Sequence, residues 1–211
     1  MILVGMFDSP YVRRVAISAA QLGFDFEHRN WSVGKDAALI RQFHPQGRVP
    51  VLVLDDGEAL TESAIILDHL DQMAGPPRAL LPASGKDRRD AQKLVALAVG
   101  ALDKGIQLVY ERIFRPLEKH HAPWLQRCHA QAEASLAGLD AACAAREGHE
   151  WLVGDAITQA DITVACAVTY LRDAVPFDLA PFPALSARIA RYEALPLFAR
   201  SSLPFDAPNA S

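Results

Sequence analysis

The chain has 211 residues, 51% of them hydrophobic, with 21 Lys and Arg against 25 Asp and Glu for a net charge of −4. This length and apolar content suffice for one large domain or two small ones with a real core, and exclude disorder of the whole chain. With no basic excess to pair with phosphates, and with its charges interspersed, the chain is not expected to bind nucleic acid.

Residues 2–6, Ile-Leu-Val-Gly-Met, have the length and apolarity of a buried strand. They are too short for a signal peptide, and Asp8 interrupts the run. Ser9-Pro10 follows, an N-cap residue before a proline at the first helical position. Val12, Val15, Ala16, Ala19 and Ala20 then recur at helical spacing, and Gly23 ends the helix. Residues 24–30 read as a second strand and 35–43 as a short helix. Val51-Leu52-Val53-Leu54 is strand-like, Asp55-Asp56-Gly57 is a hairpin turn, and Ala59-Leu60 is the return strand. Residues 63–73 form the next helix. The expected product is a mixed sheet with helices packed on it.

Gly75-Pro76-Pro77 breaks this pattern, and the stretch 76–86 reads as a linker. Beyond it no strand is expected. Residues 87–115, 123–146, 158–172 and 183–195 show helical periodicity, so the second part is an all-α bundle. Residues 206–211 read as a loose tail. No apolar run reaches the length of a membrane span. Cys128, Cys143 and Cys166 are odd in number, far apart and without a C-x-x-C, which argues against disulfides and zinc and for a reducing, cytoplasmic setting. His120, His121 and His129 have no Cys or carboxylate at metal spacing, and no metal site is expected.

Three short signals carry chemistry. Ser9 stands at a helix N-terminus, where unpaired N–H groups and the dipole favour an anion such as a thiolate, and it follows the first strand, where α/β sheets bind ligands. Val49-Pro50 precedes a strand; a cis-proline there would leave the Val49 backbone free to pair with an extended peptide. Glu62-Ser63 opens a helix, where Ser63 can hold a carboxylate and Glu62 an ammonium group. Singly, each has a plain structural reading as a cap or a strand boundary.

Together they form a pattern. Ser9-Pro10-Tyr11-Val12-Arg13, Gly47-Arg48-Val49-Pro50-Val51-Leu52 and Thr61-Glu62-Ser63-Ala64-Ile65, in this order, resemble the glutathione transferase family. The resemblance runs from Met1 to about Leu203 and includes the segment 151–162, where Thr158 and Asp161 have capping-box spacing and Ile157 and Ile162 suit a hydrophobic staple. It implies a thioredoxin-like α/β N-terminal domain over residues 1–75 and an all-α helical-bundle C-terminal domain over residues 87–211. It implies glutathione as co-substrate, with Ser9 catalytic, Glu62 and Ser63 on the γ-glutamyl end, Val49 on the cysteinyl backbone, Pro50 cis, and Arg48 near the glycine carboxylate. A small electrophile as second substrate and a homodimer are implied as well. Tyr110 and Phe114 are candidates for the acceptor pocket, as is Tyr11, which also competes with Ser9 as hydroxyl donor; packing is the plainer reading of all three. Asp103 reads as a solvated helix residue. Two positions depart from relatives: serine in place of a cysteine at Ser9, which argues against thiol–disulfide exchange, and His44 where asparagine is common. The alternative reading is a non-catalytic binding or stress-response relative of the same fold.

Overall fold

The computed structural model describes residues 1–207. The N-terminal part runs β1 (Ile2–Val4), α1 (Pro10–Leu22), β2 (Glu27–Arg29), α2 (Ala37–Ile40), β3 (Val51–Val53), β4 (Ala59–Thr61) and α3 (Ser63–Ala74). Its four strands are ordered β2-β1-β3-β4. β1 pairs parallel with β2 and antiparallel with β3, and β3 pairs antiparallel with β4.

Leu3 lies opposite Leu52, and Leu52 opposite Leu60. Because side chains alternate across a strand, Leu3 and Leu52 share one face with Val12, Val15 and Ile66 of α1 and α3. Val4, Val51 and Val53 share the other face with Ile40 of α2. A one-residue slip in register would exchange these faces.

The expected first strand ends early. Gly5 has φ 126°, and a side chain there would meet Val12 at 2.5 Å and Val49 at 2.8 Å. The bare backbone at this point lets the first helix and the segment before β3 converge.

The second part contains α4 (Gly85–Phe114), a 3-10 turn at Leu117–Lys119, α5 (Ala122–Ala145), α6 (Gln159–Ala174), α7 (Pro183–Glu193) and the short α8 (Pro196–Ala199). The 3-10 turn and α8 were not foreseen from periodicity, which such short pieces do not display. None of the described helices is long and apolar enough to cross a membrane. α6 is the centre of the bundle and packs on α1 of the first part. Gly105 permits the α4–α6 approach, since a methyl group there would overlap the Leu171 side chain.

Asp161, with no exposed surface, anchors the start of α6. It accepts from Leu152 N, Thr158 N and Thr158 Oγ1, each at 2.8 Å, and from the Tyr192 hydroxyl. The capping box is thus present, and its carboxylate also ties α6 to α7. The segment before α4 is tethered rather than loose: Asp71 accepts from Leu80 N and Leu81 N. All three cysteines are free thiols and buried.

Part of the expected tail also folds back. Asp206 N donates to Asp8 Oδ2 at 3.2 Å, and Phe205 packs edge-on against Tyr170. The remainder of that tail, residues 208–211, lies outside the described residues.

Candidate functional site

A cavity of about 500 Å³ opens between the two parts. One wall is the β1–α1 loop with Asp8, Ser9 and Tyr11; beside it stand Trp31, Arg48 and Val49. The facing wall is α4, with Asp103, Ile106 and Tyr110, closed by Tyr170 of α6 and by Phe205 and Asp206.

Ser9 is the N-cap of α1, and its Oγ accepts from Val12 N at a long 3.5 Å. An accepted bond leaves the hydroxyl proton free to be donated. No acidic residue stands within the first turn of α1 to offset its dipole. Asp8, just before it, is the exception nearby. Burial pushes its carboxyl above the ordinary value, against the opposing pull of hydrogen bonds from the Asp206 and Ser9 backbones.

Tyr11, the other candidate donor, has its hydroxyl engaged. Its hydroxyl donates to Asp103 Oδ1 at 2.9 Å, across the domain boundary. Burial first, and the Asp103 carboxylate second, push its phenol well above the ordinary range. Asp103 is exposed, as expected of a solvated helix residue, and it also accepts from Tyr11 and lines the cavity.

The Val49–Pro50 bond is cis. The Val49 backbone N–H and C=O make no hydrogen bond to any described residue. Pro50 is buried behind it. His44, also buried, supports the approach to this segment, its Nδ1 accepting from Gln46 N at 3.2 Å.

Glu62 links β4 to α3 with φ 66° and ψ 120°. A non-glycine residue held there costs roughly 1–3 kcal/mol, a geometry that concentrates at ligand sites. Its Oε1 lies 3.3 Å from Arg48 Nη1, both side chains being half exposed. Such a pair contributes only about 0–1 kcal/mol and opens readily. Ser63 follows at the N-terminus of α3, buried, with Oγ accepting from Arg14 Nη2 at 2.7 Å.

The expected site residues are thus sorted. Ser9, Tyr11, Arg48, Val49 and Tyr110 line the cavity. Pro50, Glu62 and Ser63 stand outside its lining, with Glu62 tied to it through Arg48. Phe114 is a correction: one turn beyond Tyr110, it lies outside the cavity wall, half exposed, with its ring edge-on to Tyr110. α4 has passed the cavity by that turn. The facing residues Asp103, Ile106, Gln107 and Tyr110 do carry a legible i, i+3, i+4, i+7 spacing. Nothing local marks Phe205 and Asp206. Among the described residues no cluster of His, Cys and carboxylates is placed to hold a metal ion.

Comparison with known proteins gives this geometry its family. Residues 3–78 match the family described as glutathione S-transferase, N-terminal domain, and residues 122–194 match glutathione S-transferase, C-terminal domain. The chain belongs to the glutathione S-transferase family. The uncharacterized GST-like protein YibF of Escherichia coli K12 is 34% identical over 81% of this chain and 82% of its own length. Among solved structures, a glutathione S-transferase of Methylobacterium radiotolerans in complex with glutathione sulfonate superposes with a TM-score of 0.85. It is 31% identical and is matched over 99% of this chain and 95% of that one. A family member from Pseudomonas fluorescens Pf-5 with bound glutathione gives a TM-score of 0.82 at 33% identity, over 97% of this chain and 99% of that one. The mixed four-stranded sheet with its helices, followed by the helical domain, is the thioredoxin-like transferase fold of this family.

Proposed function

We propose that this family member is a glutathione transferase that activates the glutathione thiol at Ser9. The observation that carries the reading is the Ser9 hydroxyl, with its proton free, at the N-terminus of α1 and on the wall of the interdomain cavity. A thiolate there accepts a hydrogen bond from the hydroxyl and faces the positive end of the helix. The unpaired Val49 backbone suits the cysteinyl amide, as one more short strand pairing. Glu62 and Ser63 take the γ-glutamyl end. Arg48 takes the glycine carboxylate after parting from Glu62.

The second substrate is a small electrophile held in the 500 Å³ cavity. The rings of Trp31, Tyr110, Tyr170 and Phe205 suit an aromatic one. The charge of the lining is acidic: Asp8, Asp103 and Asp206 against Arg48. Uncharged or cationic acceptors are favoured over carboxylated ones.

One observation favours the alternative of a non-catalytic binding protein. The Asp8 carboxylate beside Ser9 opposes a second negative charge. Titration calorimetry with reduced glutathione, with Glu62→Ala alongside, followed by a screen of aromatic electrophiles, separates the readings. Saturable binding weakened by Glu62→Ala, with turnover, supports the transferase. Binding without turnover of any acceptor supports the binding protein, and no binding at several millimolar removes both.

A homodimer in the cytoplasm is the expected working form. Exposed Ile65 and Met73 on α3 and Leu97 on α4 provide apolar surface for a partner copy. Sedimentation as a 23.0 kDa species at working concentration would remove that expectation.

A further inference from the structure

Asp8 and Ser9 are neighbours in the β1–α1 loop, and both line the interdomain cavity. The Asp8 carboxyl is half-buried and is held from far along the chain, where Asp206 N donates to its Oδ2 at 3.2 Å. Among the described residues no Lys, Arg or His forms an ion pair with it. Arg13, which shares the small void behind it, is committed to Glu193 by two bonds at 2.9 and 2.6 Å. Asp173, on the α6 side of that void, is held by Arg172. Cys166 and Tyr170, the other titratable groups of α6 there, are kept neutral by burial. Asp206 brings a second carboxylate, 3.8 Å from Lys35, and Asp103 a third from α4 across the cavity.

An ionised Asp8 and a thiolate on Ser9 would put two negative charges at one end of the cavity. Like charges that share a site do not both ionise readily, and one proton is held between them. Burial already strengthens the hold of Asp8 on a proton, and a thiolate beside it strengthens that hold further. The conflict disappears if the proton leaving sulfur goes to Asp8, because the pair then carries one negative charge before the transfer and one after it.

We propose that Asp8 is a catalytic residue that takes the glutathione thiol proton and returns it to the product. The assignment rests on the glutathione reading of the same cavity and deepens it by naming where the proton goes. The S–H bond breaks, its electron pair stays on sulfur, and the proton passes to an Asp8 oxygen, directly or through one water. The thiolate then adds to the β-carbon of an α,β-unsaturated carbonyl compound. The C=C electron pair moves onto the carbonyl to give an enolate, whose α-carbon takes the proton back from Asp8. The carboxylate is restored and nothing is oxidised or reduced. Ser9 and Asp8 divide the work: one donates a hydrogen bond to the sulfur, the other removes its proton. Displacement of a halide from an aromatic ring has no use for the returned proton, so the arrangement suits uncharged aryl enones best.

The test counts protons. Glutathione is titrated at about pH 7, below the ordinary thiol pKa of about 8.5, in buffers of different ionisation enthalpy. The calorimeter gives the protons released on binding, and ultraviolet absorbance gives the thiolate formed. Wild type should form thiolate with almost no proton released. Asp8→Asn keeps the shape but cannot take the proton, so about one proton should enter the buffer for each thiolate. The ratio of kcat/KM for benzylideneacetone, an enone, to that for chlorodinitrobenzene, an aryl halide, should fall roughly ten- to a hundredfold in Asp8→Asn. Asp8→Glu should recover part of it. About one proton released per thiolate by wild type overturns the assignment, whether or not any variant folds, and so does an unchanged ratio. A merely structural Asp8 would slow both acceptors alike and leave the proton count unmoved, which also overturns it. Should wild type bind no glutathione, or bind it without forming thiolate, the thiol-activation reading falls and this assignment falls with it. Thiolate formation and turnover with the proton released to buffer leave that reading standing and remove Asp8 alone.

Discussion

Replacing Ser9 with alanine removes one hydroxyl and leaves the cavity otherwise intact. A free cysteine thiol has a pKa of about 8.5. One hydrogen bond to a charged acceptor contributes roughly 1.5–3 kcal/mol, and one pKa unit corresponds to about 1.4 kcal/mol. The Ser9 proton therefore lowers the bound thiol by about one to two units. The α1 dipole, worth about 0.3–1 kcal/mol, survives the substitution. Ser9→Ala should then raise the pKa of bound glutathione by one to two units, read from the ultraviolet absorbance of the thiolate against pH. The sign sets the shape of the rate profile. At about pH 6.5 the variant should turn over roughly ten- to a hundredfold more slowly, because little of its thiol is ionised; above the raised pKa the two rates should converge. Glutathione affinity should change little. The cap bond lost is long, 3.5 Å to Val12 N, so stability should fall by only about 0.5 kcal/mol. Ser9→Thr, which keeps the hydroxyl, should restore the profile. An unchanged thiol pKa in Ser9→Ala, or a weaker affinity at unchanged kcat, would refute the assignment.

Other perturbations test neighbouring parts of the argument. Tyr11→Phe should leave kcat within about threefold, because that hydroxyl is committed to Asp103; a loss as large as that of Ser9→Ala would reinstate Tyr11 as the donor. Asp161→Ala strands four buried donors and should cost about 3–5 kcal/mol in chemical denaturation, whereas a cost below about 1 kcal/mol would deny it an anchoring role. Asp8→Asn should raise Tm at pH 7. The folded-state pKa of Asp8 is raised by burial, so ionisation opposes folding at neutral pH, and the gain should vanish below pH 3.8, where the carboxyl is protonated in both states. Burial pushes the Cys143 thiol up to about 11 and the Cys166 thiol up to about 12. Thiol reagents at pH 8 should therefore leave both unlabelled until the chain unfolds, as read by mass spectrometry.

Much of this protein is local in origin, and local causes are legible in sequence. The strand of Val51–Val53, the capped helix from Ser9-Pro10 to Gly23, and the Thr158–Asp161 box each follow from spacing and cap chemistry confined to a few residues. The order of the three short motifs placed Ser9 and Val49 at one site, and the cavity brings both into one wall. What the sequence alone determined was the types of the longer elements, the two-part architecture and the capped helix starts at Ser9 and Thr158. Tertiary structure alone decided which groups meet across long separations. Tyr11 finds Asp103 92 residues away, Asp206 returns to Asp8 across 198, and Arg14 comes to rest behind Ser63 with no acid beside it. Those pairings depend on how α1 packs between β1 and α6, and on where α4 faces the β1–α1 loop across the cavity. Periodicity describes one element at a time and is silent about such packing.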